Sequence, residues 1–106
     1  MVIGQYGVYW VNLDPTVGAE IKKTRPCVVI SPDELNAYLD TVIIAPMTSH
    51  IHGYPYRVRT SVHGKEGEIV TDQIRTVDKR RLSHFICKLP VDTITELRNV
   101  LFQMFG

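Results

Sequence analysis

Four histidines and two cysteines are the first groups in this chain of 106 residues that could do chemistry. His50 and His52 stand two apart in SHIHG, a spacing that on a strand would turn both to one face. A third metal ligand would have to come from His63 or His84, and neither lies at a ligand spacing from the pair. Loop histidines in water are the plainer reading, so no metal or cofactor is expected. P-loop, Rossmann, GxSxG and HExxH signatures are absent. Cys27 in PCVVIS and Cys87 in FICKLP sit in apolar runs without CxxC or CxxH spacing, and no activating histidine adjoins either. Both read as buried thiols rather than nucleophiles, and a disulfide between them is the less expected state in a reducing compartment.

Cations, carboxylates and hydroxyls in short loops remain. They can carry chemistry that needs no cofactor, such as RNA strand scission by the substrate's own 2′-OH. There the protein holds an in-line geometry, handles the proton transfers and stabilises charge on the phosphorus oxygens. An arginine fork suits such a phosphate, and a threonine hydroxyl can donate to it. The stretch VGAEIKKTRP, residues 17–26, interrupts two strand-like runs with an acid, two lysines and an arginine. Net charge is only +1, yet residues 1–53 carry three Lys/Arg against five Asp/Glu, and residues 54–106 carry nine against six. A polyanion would therefore meet local patches: Lys22, Lys23 and Arg25; Arg57 and Arg59; and Arg75, Lys79, Arg80 and Arg81.

The elements that must position these groups are mostly strands. YGVYWVNL, PCVVIS, TVIIAP, PYRVRTSV, GEIVTDQIRTV and HFICKLP are rich in β-branched and aromatic residues, and prolines mark the edges of the runs. In PYRVRTSV the alternation turns Tyr56, Val58 and Thr60 one way and Arg57 and Arg59 the other. After Pro90 the period changes: Ile94, Leu97, Leu101 and Met104 recur at helical spacing, with Asp92 as the expected N-cap. Short strands with one terminal helix predict a small, strongly curved sheet or barrel. The length fits one domain, residues 1–106. No run reaches the roughly 18 apolar residues of a membrane span, and the start has neither a basic n-region nor an apolar h-region, so a cytoplasmic protein is expected.

The phrases WVNLDPTVGAEIKKTRPCVVIS, APMTS and TDQIRTVDKRRL, in this order and at these separations, resemble the MazF/PemK family of toxin endoribonucleases over essentially the whole chain. The resemblance implies an SH3-like β-barrel with a C-terminal helix, working as a homodimer. It further implies metal-independent cleavage of single-stranded RNA at short sequence motifs, leaving a 2′,3′-cyclic phosphate and a 5′-hydroxyl. The implied partner is a cognate, MazE-like antitoxin that lays an acidic and hydrophobic tail over the RNA groove, with operator DNA bound only through the toxin–antitoxin complex. The arginine of the family's RP motif falls on Arg25, the threonine of its P-x-T-S motif on Thr48, and an activity-linked glutamate on Glu20. The family's DQ(I/V)R stretch falls on Asp72, Gln73, Ile74 and Arg75, where the resemblance leaves open acid and base work by an Asp and an Arg; Lys22, Lys23, Ser49, Gln73 and Arg75 are the expected RNA contacts. Val8 departs from the acid many relatives carry after the first glycine, outside any catalytic motif.

Each residue also has a structural reading. Arg25 could form a surface ion pair with Glu20 or Asp72, worth about 0 to 1 kcal/mol, and Thr48 could bond its own turn backbone. Glu20 could accept the 2′-OH proton, read a base edge or orient Arg25. Arg75 could join a network with Asp72 or Asp78, and Tyr54 and Tyr56 could stack on bases or pack. As a guanidinium, Arg25 suits a phosphate clamp better than a general base. The loop before Arg25 is expected to fold over RNA and to be mobile when empty. Two other classes compete with a nuclease: a CcdB-type gyrase poison and an SH3-like binding module or co-repressor. Gyrase poisons rely on a Trp-led C-terminal tail, whereas this chain ends QMFG and its single tryptophan is Trp10.

Overall fold

The computed structural model describes residues 1–106, and its architecture follows from apolar runs with side chains to bury on both faces. Strands β1 (Gly7–Asn12), β2 (Thr24–Val29) and β3 (Thr41–Thr48) form an antiparallel centre, followed by β4 (Val58–Val62), β5 (Lys65–Ile69), β6 (Arg75–Asp78) and β7 (Leu82–Lys88). Sheet order is β4-β5-β3-β2-β1-β7, with β6 also on β3. Strand β3 therefore forks: Thr41–Ile44 pairs with β6, while Met47 and Thr48 pair with β5.

The fork corrects two expectations. Strand β3 does not stop at Pro46 but runs through it to Thr48. A proline is tolerated there because residues 45 and 46 fall between the stretches paired with β6 and β5, where the ladder on that side is interrupted. Likewise GEIVTDQIRTV is not one strand. It breaks into β5, a 3₁₀ turn at Thr71–Gln73, and β6, because its two ends pair with different halves of β3.

The sheet curls around two apolar clusters. Alternate residues of the central strands divide between them: Val11, Cys27, Val29 and Ile44 enter one, and Val8, Val28, Ala45 and Met47 the other. Helix α2 (Val91–Phe105) covers the second cluster, with Leu97 fully buried and Ile94 and Leu101 packed beside it. Its N-cap is Pro90 rather than the expected Asp92. Proline fits because it fixes φ where the helix starts, and Asp92 sits inside the first turn accepting from the Thr93 N–H at 2.9 Å. Helix α1 (Asp33–Tyr38) has no counterpart among the expected elements. Polar bonds hold it: Ser31 Oγ donates to Asn36 Oδ1 at 2.6 Å, and Asn36 Nδ2 donates to the Ser31 carbonyl at 2.9 Å.

Both cysteines are free. Cys27 is buried in the first cluster, and burial pushes its thiol up to about 12, against a small opposing pull from Arg75. Leu97 is the side chain through which α2 locks to the sheet, so Leu97→Ala is expected to lower unfolding free energy by about 2 to 5 kcal/mol. Urea denaturation followed by circular dichroism measures it.

Candidate functional site

The register between β2 and β3 decides where the arginine and threonine meet. Val29 pairs with Ile44, Val28 with Ala45 and Cys27 with Pro46. Two residues further along each strand stand Arg25 and Thr48, on facing positions of the same sheet. Both line a groove of about 680 Å³. Its floor includes Met47, Thr48 and Ser49 of β3. One wall is the β4–β5 hairpin with His63, Lys65, Glu66 and Gly67, and the other carries Trp10, Thr24, Pro26 and His84–Ile86. His63 and Gly64, both with positive φ, make the two-residue turn that tips the hairpin.

Arg25 is half-buried. Its Nε donates to the Lys22 carbonyl at 3.2 Å and it forms no ion pair, so its terminal nitrogens remain for a ligand in the groove. The Thr48 hydroxyl accepts from the His50 N–H at 3.1 Å, a short turn bond that leaves its own proton to donate. Neither ion-pair alternative for Arg25 is formed. Asp72 is held by Arg57, and Glu20 accepts from the Val17 N–H at 2.6 Å within its own exposed turn.

Glu20, Lys22, Lys23, Gln73 and Arg75 lie outside the groove lining. Gln73 and Arg75 instead fasten the loop between β1 and β2. Gln73 Oε1 accepts from the Ile21 N–H at 2.7 Å, its Nε2 donates to the Ala19 carbonyl at 3.4 Å, and Arg75 donates to the Leu13 carbonyl at 3.0 Å. Arg81 adds bonds to the Asn12 and Asp14 carbonyls. The loop is thus fastened by Gln73, Arg75 and Arg81 at Leu13, Asp14, Ala19 and Ile21, with Val17 and Gly18 exposed at its tip. Lys22 and Lys23 are exposed in the turn just ahead of the groove residues Thr24 and Arg25, and Lys23 takes a left-handed backbone (φ 71°) there.

The histidines separate in space. His63 and His84 reach the groove, whereas the His52 ring stacks on Tyr54 at 4.8 Å. Tyr54 also receives the Arg57 guanidinium 4.8 Å from its ring centroid, so its ring is engaged within the protein. The aromatic surfaces inside the groove are Trp10, 40% exposed, and Phe85, 57% exposed. Trp10, Phe85, Lys65 and Glu66 were not among the expected site residues. No local pattern marks Trp10 as the outward-facing ring, because it stands inside the unbroken apolar run YGVYWVNL.

Behind the hairpin lies an ionic cluster. Arg57 donates to Asp72 through Nε at 2.9 Å and a terminal nitrogen at 3.2 Å, and to Glu68 at 3.0 Å. These bonds, led by that to Asp72, raise the Arg57 pKa further. Burial pushes the Glu68 carboxyl up, but bonds from Arg57 and from the His52 and Gly53 backbone outweigh it and leave the group below its ordinary range. The Arg57 bond likewise lowers Asp72.

A small curled β-sheet closed by a C-terminal helix thus sets a cation and a hydroxyl on facing positions of one open groove, an arrangement suited to gripping a phosphodiester. Residues 4–105 match the family described as PemK-like, MazF-like toxin of type II toxin-antitoxin system. The chain belongs to this family. It is 30% identical to endoribonuclease EndoA of Bacillus subtilis (strain 168), over 95% of this chain and 92% of that protein. The MazF structure of Deinococcus radiodurans superposes with a TM-score of 0.88 at 30% identity, covering 100% of this chain and 98% of that one. A MazE-MazF structure from the same organism gives 0.80 at 28% identity, covering 100% and 97%.

Because Glu68 and Asp72 are more acidic folded than unfolded, their contribution to stability is complete above the ordinary carboxylate range and is lost as pH falls through the lowered folded values. The thermal midpoint should therefore hold steady from pH 7 to about 5 and fall below about pH 4. Asp72→Asn should make that fall shallower, as calorimetry at stepped pH would show.

Proposed function

We propose that this chain is an endoribonuclease toxin that cuts single-stranded RNA in the Arg25–Thr48 groove without a metal. The carrying observation is that an unpaired guanidinium and a hydroxyl with a free proton line the same groove, on facing strand positions. The substrate's 2′-oxygen attacks phosphorus, the bond from phosphorus to the 5′-oxygen breaks, and the products are a 2′,3′-cyclic phosphate and a 5′-hydroxyl. Arg25 and Thr48 donate to the non-bridging oxygens, where charge grows in the transition state. The 2′-OH proton leaves and a proton reaches the 5′-oxygen. Glu66, His63 and His84 stand in the groove for these transfers, while Glu20 takes part only if the loop tip folds onto the bound strand. Lys65 within the groove and Lys22 and Lys23 beside it attract the backbone, Ser49 adds a donor on the floor, and Trp10 and Phe85 offer faces for unpaired bases. Gln73 and Arg75 serve the RNA indirectly by holding the loop that carries Lys22 and Lys23.

The same mixture of exposed aromatic and cationic groups suits the acidic and hydrophobic tail of a MazE-like antitoxin, the partner in the Deinococcus complex. The working unit is a homodimer in the cytoplasm, touching operator DNA only through the antitoxin complex. No helix is long and apolar enough to cross a membrane. No observation favours a gyrase poison or a plain binding module.

Incubation of the purified protein with a long single-stranded RNA in EDTA should yield discrete fragments whose ends map as cyclic phosphates. Intact RNA would refute the proposal. Arg25→Ala and Thr48→Ala should each slow cleavage by about 10² or more while the circular dichroism spectrum persists. Trp10→Ala should weaken binding of an uncleavable RNA by roughly 5- to 150-fold, the equivalent of about 1 to 3 kcal/mol for one lost stack, as read by fluorescence anisotropy with labelled RNA.

A further inference from the structure

Glu68 is completely buried, carries a charge and takes no part in the groove. Its backbone pairs with Thr48 across the β3–β5 ladder. Its carboxylate accepts from Arg57 at 3.0 Å and from the Gly53 N–H at 3.4 Å, with His52 Nδ1 at 3.6 Å. Arg57 is mostly buried and also grips Asp72 on the 3₁₀ turn with a two-bonded fork. Thr71 Oγ1 adds a bond to the Tyr56 carbonyl at 2.7 Å. Next door, a Cβ at Gly67 would stand 2.5 Å from the Thr48 carbonyl oxygen, so only glycine lets β5 approach that residue so closely.

Buried ion pairs contribute little net stability, because desolvation cancels most of the attraction and apolar replacements often do as well. What this one supplies is geometry. The segment between Thr48 and Val58 leaves the groove floor at Thr48 and Ser49 and returns at Gly53–Arg57, where the cluster binds it to β5 and to the 3₁₀ turn. We propose that Arg57, Glu68 and Asp72 are positioning residues that hold the Thr48 hydroxyl and Ser49 in the groove, so that turnover depends on side chains that never touch RNA. The inference rests on the groove being the RNA site. Displacing a donor by about 1 Å can cost on the order of 10² in rate.

The test compares wild type with Glu68→Gln, with Asp72→Asn at the half-exposed end of the cluster, and with the apolar pair Arg57→Met/Glu68→Leu. It measures kcat and KM, affinity for an RNA with a 2′-deoxy sugar at the cut, and hydrogen exchange of the His50 amide, which donates to Thr48. Folded variants should bind the 2′-deoxy RNA within about threefold of wild type, lose about tenfold or more in kcat (severalfold for Asp72→Asn), and exchange the His50 amide faster while amides of β1 and β2 stay protected. The proposal is overturned if a folded apolar pair turns over at the wild-type rate with unchanged His50 exchange, or if affinity falls in step with kcat. Should Glu68→Gln not fold, Asp72→Asn and the apolar pair decide. Failure of wild type to cut any RNA would instead sink the nuclease reading, and the exchange measurement alone would then judge whether the cluster orders Thr48.

Discussion

The antiparallel register between β2 and β3 is the constraint on which the site depends. Side chains alternate across a strand, so a slip of one residue would turn Arg25 or Thr48 to the other face and would also expose the residues that belong in the two cores. Cys27, Val29 and Ile44 on one face and Val28, Ala45 and Met47 on the other are nearly all without solvent exposure. Burying both faces leaves no alternative pairing of comparable energy. The same packing that stabilises the sheet therefore brings together two groups separated by more than twenty residues of chain.

The cations of this protein divide into those spent on structure and those left to solvent. Arg57 holds two carboxylates, Arg75 and Arg81 hold carbonyls of the β1–β2 loop, and Arg80 closes on Asp78. Arg25 forms no ion pair, and Lys22, Lys23 and Lys65 stand in or beside the groove. A chain with net charge of only +1 can in this way present a locally positive groove, because most of its negative charge is paired or lies elsewhere. The acid nearest the groove, Glu66, is partly offset by Arg59 at 3.4 Å.

Fold alone would not distinguish a nuclease from other small barrels, since one architecture serves many functions. The discriminating features are local: an arginine without an acid partner, a threonine with a free proton, and exposed rings in the same concavity. Such an arrangement is poorly suited to stability, since it leaves a guanidinium without an acid partner and two large aromatic side chains partly exposed. It suits a flexible polyanion with unpaired bases.

How much of this was legible in the residues varies with the range of the interaction. The strand runs, the terminal helix through Ile94, Leu97 and Leu101, and the motifs bearing Arg25 and Thr48 were readable because each is encoded by neighbours or by a short period. Helix α1 escaped because Ser31 and Asn36 hold it by polar bonds rather than by an apolar stripe. The division of GEIVTDQIRTV and the passage of β3 through Pro46 escaped because both follow from the fork of β3, a choice of partners that no local pattern records. Gln73 and Arg75 lie 52 and 62 residues from the loop groups they bind. The sequence by itself determined most of the segments that extend, the terminal one that coils and which side chains could hold a phosphate. Only the tertiary structure decided which cations stay unpaired, that Trp10 and Phe85 share a groove with Arg25, and that buried Glu68 stands behind Thr48. The physical reason is that charge pairing and burial depend on distance in space, which the closing of the sheet sets.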